Sequence, residues 1–184
     1  MKAASFALFV LTTVTQALAA ATGTPNDANR ALACASPSTA VPLLRSWNGG
    51  WGDHFYTTDQ NAMNNAVNNL GFTAEGTAAY VFPGTTGSDG AIPFYGLWAP
   101  DRLDHFYTTA AADVTSSIRL YGYEYEGIVG YIYQNANCGG VPLYRLYSAS
   151  NTDHFYTTSA SERDTAINHL EYADEGITGY VLPV

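Results

Sequence analysis

The chain has 184 residues and carries seven Lys and Arg against 16 Asp and Glu, a formal charge of −9. That length suits one domain, and the acidic balance, with no basic run, leaves no electrostatic footprint for nucleic acid or an anionic membrane surface. Only 12% of residues are charged while 14 are Tyr, a composition that favours recognition, because a Tyr ring offers apolar area and its hydroxyl a hydrogen bond at little entropic cost.

Lys2 precedes the apolar run AASFALFVLTTVTQALA, which ends in small residues at Ala17 to Ala19. This pattern predicts a signal peptide over residues 1–19 and a secreted, extracellular protein. The run is too short for a good membrane span, and no later segment is apolar for long enough. Lys2, the only lysine, would leave with the leader, so the exported chain would keep six Arg against 16 acidic residues. No Asn-x-Ser/Thr sequon occurs, so N-glycosylation is not expected.

Residues 20–40 read as an N-terminal arm carrying Cys34, the first of two cysteines. The second, Cys138, lies far along the chain. After export the pair most simply forms one intramolecular disulfide; two free thiols or an intermolecular bridge are the alternatives. Closing so long a loop gives up to about 4–5 kcal/mol in chain-entropy terms.

From residue 41 onward the chain writes one unit three times. The hexapeptide DHFYTT stands at Asp53, Asp104 and Asp153. Eleven residues before each Asp is a proline (Pro42, Pro93, Pro142), and six before it a large aromatic (Trp47, Trp98, Tyr147). Twenty-two residues after it comes Glu-Gly (Glu75, Glu126, Glu175), and 27 after it a tyrosine (Tyr80, Tyr131, Tyr180). The copies span residues 41–83, 92–134 and 141–184. Length varies only in the Gly-, Asn- and Ser-rich joints between them.

Within a copy the pattern reads strand, strand, helix, strand. VPLYRLY is β-branched and aromatic, with its proline confined to the start. A five-residue hairpin tip follows (NGGWG, APDRL or SASNT), then DHFYTT as a second strand with alternating faces. Asp59, Thr109 and Ser159 are the predicted helix caps, the last with Glu162 at capping-box spacing. Met63, Ala66, Val67 and Leu70 are expected to face inward in the first helix, Val114, Ile118 and Tyr121 in the second, and Ala166, Ile167 and Leu170 in the third. One copy is too small to bury a core alone. The expected fold is therefore α+β, with three ββαβ repeats in one closed, pseudo-threefold, trefoil-like domain spanning 41–184.

The repeated residues offer two readings. His54, His105 and His154, each beside an Asp, suit a metal site or a general base. Against this, no short-spaced ligand pair occurs, and an active site is normally one asymmetric constellation rather than three equal ones. The structural reading has each Asp accepting a backbone N–H in its own turn and each His packing on a tyrosine. Likewise Glu75, Glu126 and Glu175 suggest a glycosidase pair, but Glu followed by Gly in a helix–strand loop suits backbone bonding, with Gly at positive φ. Asp53, His54, Asp104, His105, Asp153, His154 and the three Glu are thus read as a structural signature. No nucleophile elbow, phosphate loop or dinucleotide fingerprint is present. The aromatics Trp47, Trp51, Trp98 and Tyr147, with Asp101, cluster at the hairpin tips, where a flat apolar face beside polar partners suits sugar or protein binding. They suit a core equally well.

Triple DHFYTT, the spaced Glu-Gly and the VPLYRLY-like leader resemble a family of secreted repeats common in fungi and bacteria. Three such units behind a leader resemble the small subunits of heterodimeric laccases of white-rot mushrooms. The resemblance implies a non-catalytic accessory chain that binds and stabilises a copper-bearing catalytic subunit. It implies no cofactor, since four isolated His cannot supply the His-x-His pairs of a multicopper oxidase. The alternative reading is a lectin-like protein binding carbohydrate or cell wall.

Overall fold

The computed structural model describes residues 34–84 and 90–184. The leader, most of the arm and the middle of the first joint lie outside these residues. Three sets of strand, strand, helix, strand follow one another after a short 3₁₀ turn at Pro37–Thr39. The first comprises β1 (Val41–Asn48), β2 (Asp53–Thr57), α1 (Gln60–Asn69) and β3 (Thr73–Val81). The second comprises β4 (Ala91–Ala99), β5 (Asp104–Thr108), α2 (Ala111–Tyr121) and β6 (Glu124–Tyr133). The third comprises β7 (Val141–Ser148), β8 (Asp153–Thr157), α3 (Ala160–His169) and β9 (Ala173–Val181). The class is α+β, with antiparallel pairing throughout these strands.

In each set the leading strand is the centre, paired on one side with the DHFYTT strand and on the other with the closing strand. The second and third sets share a six-stranded sheet through Tyr133 opposite Tyr180. The first forms a three-stranded sheet whose last strand bridges both others, Phe82 to Tyr131 and Tyr80 to Leu182. The repeated tyrosine at the end of each closing strand thus meets the neighbouring copy's chain two residues beyond its own such tyrosine. Close approach matters at these crossings: a Cβ on Gly179 would lie 2.5 Å from Ile132 Cδ1 and 3.1 Å from the Tyr133 carbonyl oxygen, so a side chain there would force its neighbours to shift.

One central core gathers equivalent residues from all three copies: Leu43, Phe94 and Leu143; Tyr56, Tyr107 and Tyr156; Val81, Ile132 and Val181. The three tyrosines are at most 1% exposed, with ring centroids 5.4–5.5 Å apart in edge-to-face contact. Their hydroxyls are satisfied by backbone across copies. Tyr56 donates to the Tyr156 carbonyl at 2.7 Å and Tyr156 to the Tyr107 carbonyl at 2.6 Å, while Tyr56 N–H donates to the Tyr107 hydroxyl at 2.9 Å. Burial pushes all three phenols well above their ordinary range, so they stay protonated donors.

The helices lie shallower than their sequence stripes suggest. Met63 and Ala66 are buried in α1, Ser117 in α2 and Ala166 in α3. Leu70, Ile118, Tyr121 and Leu170, expected inside, are 43–57% exposed. They fall in the last turn or at the C-cap of their helices. Asp59 caps α1 and Ser159 caps α3 as expected. Glu162 does not close the capping box but turns to Arg45 and Thr157. Thr109 does not cap α2: its hydroxyl donates to the Thr178 carbonyl at 2.9 Å, and Ala110 stands at the cap position.

Cys34 and Cys138 form a disulfide, tying the arm to the joint before the third copy. Ala35 N–H adds a bond to the Tyr133 hydroxyl. Among the described residues no helix is long and apolar enough to cross a membrane.

Candidate functional site: three clefts between copies

The DHFYTT strands pair Asp and His across copies, not within them. His105 N–H and Nδ1 donate to the two oxygens of Asp53 at 2.9 and 2.7 Å. His154 does the same to Asp104, and His54 to Asp153. A carboxylate only accepts, so each imidazole carries its proton on Nδ1. The expectation of a bond within each Asp's own turn is corrected here: in the first copy the Asn48 carbonyl and side chain accept the turn N–H groups, and in the second the Ala99 carbonyl does, while each Asp bonds the neighbouring copy instead. Each ring is then sandwiched. His105 lies 4.3 Å from Trp98 and 4.8 Å from Phe55, and the other two His sit equivalently between Trp47 and Phe155 and between Tyr147 and Phe106.

One oxygen from each of Asp53, Asp104 and Asp153 lies within 4.8 Å of the others, and all three residues are 0% exposed. This donor set is already spent: each carboxylate takes an N–H and an Nδ1–H from the next copy. Asp104 and Asp153 also accept the hydroxyls of Tyr123 and Tyr172. In the first copy Phe72 stands at that position, so Asp53 lacks the third donor. Burial raises its carboxyl above the ordinary value.

Nε2 of each His points outward to the Glu of its own copy, at 3.7–3.9 Å. These Glu are not in loops accepting backbone bonds, as their sequence context suggested. They sit inside the closing strands, beside register shifts at Arg45/Ser46, Gly96/Leu97 and Arg145/Leu146. The following glycines do adopt positive φ, 96°, 125° and 89°, and that bulge turns each Glu toward its His.

Each His–Glu pair opens on a cleft roofed by the preceding copy's helix. The cleft between copies two and three, about 370 Å³, is crossed by Arg145, whose Nε lies 2.9 Å from Glu175 and whose guanidinium covers Phe106. The cleft between copies three and one, about 190 Å³, is filled by Arg45, which pairs with Glu75 and bidentately with Glu162 over Phe155. The cleft between copies one and two, about 300 Å³, has Trp51, Trp98, Phe55 and Phe72 as walls and Glu126 as a polar group. There Gly96 replaces the arginine and Ala62 the helical acid.

Of the aromatics singled out from the sequence, Trp51 and Trp98 meet in one cleft, with centroids 5.9 Å apart. Tyr147 lines another. Trp47 stacks on His54 at 4.5 Å, and Asp101 lies exposed on its turn. Arg45, Gly96 and Arg145, which most distinguish the clefts, were not among the residues singled out, although aligning the three copies column by column exposes the substitution.

Fold and site together define an α+β protein whose recurring Asp and His residues are spent on bonds between sequence copies. Residues 42–182 match the family described as a domain of unknown function, DUF5648, and the chain belongs to that family. No curated protein and no solved structure matches it.

Proposed function

We propose that the protein is a secreted, non-catalytic accessory subunit that binds and stabilises a laccase-type multicopper oxidase. The observation that carries the non-catalytic part is the fate of the Asp-His pairs. All three are spent in the same bonds, from each copy to the next and from the third back to the first. On this reading the three ββαβ copies close into a pseudo-threefold, trefoil-like domain, and the signature residues hold it shut. The whole-domain resemblance to laccase small subunits supplies the partner. A specific partner needs roughly 1,200–2,000 Å² of buried surface and stabilises by mass action.

Native co-purification from culture fluid, followed by heat inactivation of the oxidase with and without this chain, tests the proposal. Association and a longer half-life at elevated temperature are expected. A chain that elutes alone and leaves the oxidase lifetime unchanged overturns it.

A second reading, carbohydrate binding, is favoured by the tilted pair Trp51–Trp98 beside Glu126 and His105, since sugars stack on such faces while polar groups fix orientation. Glycan-array binding that is lost in Trp98→Ala supports it; silence across the array removes it.

A further inference from the structure

Two of the three clefts contain the protein's own arginine, and the third has the receptor without it. Over Phe155 the Arg45 guanidinium carbon sits 5.3 Å from the ring centroid, and over Phe106 that of Arg145 sits at 5.1 Å. In both, Nε pairs with the copy's own Glu at 2.8 or 2.9 Å. In the remaining cleft Phe55 and Glu126 hold the equivalent positions, and position 96 is Gly. Three further features fit a vacated guanidinium seat. Phe55 is half-buried, whereas Phe106 and Phe155 are 7% and 6% exposed. Among the described residues, no Arg or Lys pairs with Glu126; its nearest nitrogen partner is His105 Nε2 at 3.9 Å. Trp51 stands where the other copies have Arg102 and Asn151, adding a second aromatic wall.

We propose that the cleft between copies one and two receives an arginine side chain from a protein partner, with its guanidinium over Phe55 and Trp98 and its charge facing Glu126. An aromatic face and a carboxylate together select a planar cation: the ring quadrupole attracts it, and the carboxylate accepts its fork of N–H groups. The inference deepens the accessory-subunit reading and rests on it for the partner's identity, but the cleft can be probed without that partner.

The probe is N-acetyl-arginine methylamide, with the neutral citrulline analogue as control, followed through the indole N–H signals of Trp51 and Trp98. A saturable, salt-sensitive shift with a dissociation constant on the order of millimolar is expected for a single side chain, and the citrulline analogue should give at least tenfold less. Glu126→Gln should abolish the difference between the two. Filling the cleft internally should abolish binding altogether. That variant is Gly96→Arg with Val129→Ala, because a Cβ at position 96 meets Val129 Cγ2 at 2.9 Å and the first copy has Ala78 there. No saturable shift, or equal shifts for both compounds, overturns the proposal; Glu126→Gln keeps the test decisive if the double variant misfolds. In the full complex, Glu126→Gln should weaken oxidase association tenfold or more. Equal association of both forms overturns the arginine seat and leaves the subunit reading standing. Probe binding without any oxidase association does the reverse.

Discussion

Asp53 of the first copy accepts both His105 N–H and His105 Nδ1 of the second, at 2.9 and 2.7 Å, while itself 0% exposed. The same bond pair joins Asp104 to His154 and Asp153 to His54. Each Asp is therefore a clasp between copies. Breaking one partner of a buried pair typically costs about 3–5 kcal/mol. Asp53→Asn, Asp104→Asn and Asp153→Asn should each lower stability by that order, measured by urea unfolding. A site where one substitution is nearly silent would show that its clasp does not hold the copies together.

The clasps are equal in bonding but not in support. Tyr123 and Tyr172 donate hydroxyls to Asp104 and Asp153, whereas Phe72 offers none to Asp53. Phe72→Tyr should therefore stabilise the protein by about 1.5–3 kcal/mol through one hydrogen bond to a charged group. Burial raises the Asp53 carboxyl above its ordinary value of 3.8, which penalises the ionised form in the folded state. A new donor relieves that penalty, so the gain should be full near neutral pH and shrink as pH falls toward 3.8. Conversely, Tyr172→Phe should cost about 1–3 kcal/mol. Thermal melts across pH check both.

Much of this was legible in the sequence, and the failures have a common cause. Element order, hairpins and the closing strands follow from local signals: alternation, turn residues and a proline at each strand start. Partner choice is non-local. DHFYTT marks Asp53 as important, but nothing within six residues says that its acceptor oxygens face His105 rather than its own turn. Glu75 looked like a loop residue because Gly76 follows it; the glycine marks a bulge inside β3 instead. The helix stripes misled at Leu70 and Leu170 because periodicity gives a face but not the depth at which a helix sits. The cleft that differs, by contrast, was readable: Arg45, Gly96 and Arg145 share one column, as do Ala62, Asp113 and Glu162.

The arginine present in one cleft and absent from another gives opposite pH behaviour to Glu162 and Glu126. Burial alone would raise the Glu162 carboxyl, but bonds from Arg45 and Thr157 outweigh it and hold it below its ordinary 4.5. Its contribution is therefore present above pH 4.5 and lost as pH falls through the depressed value. Glu126 lacks an arginine, and burial raises it above 4.5; its ionised form is penalised at neutral pH and the penalty disappears on acidification. Glu162→Gln should thus destabilise at pH 7, modestly because the pair is partly exposed. Glu126→Gln should stabilise at pH 7, with both differences vanishing in acid. Denaturant titrations at pH 7 and well below 4.5 test the pair of signs.

Ser46 occupies the column of Leu97 and Leu146, and all three are 0% exposed. Its hydroxyl has no hydrogen-bond partner. A buried, unsatisfied hydroxyl costs about 1–3 kcal/mol, so Ser46→Ala should raise stability despite removing an atom. The effect should appear as a melting shift of roughly 2–4 °C per kcal/mol for a domain of this size. The control is Ser148→Ala: Ser148 is equally buried but its hydroxyl bonds Ser150 and accepts from Asn151. There the same change removes satisfied bonds and should destabilise. Equal effects at the two serines would mean that the Ser46 hydroxyl is not the source of the cost.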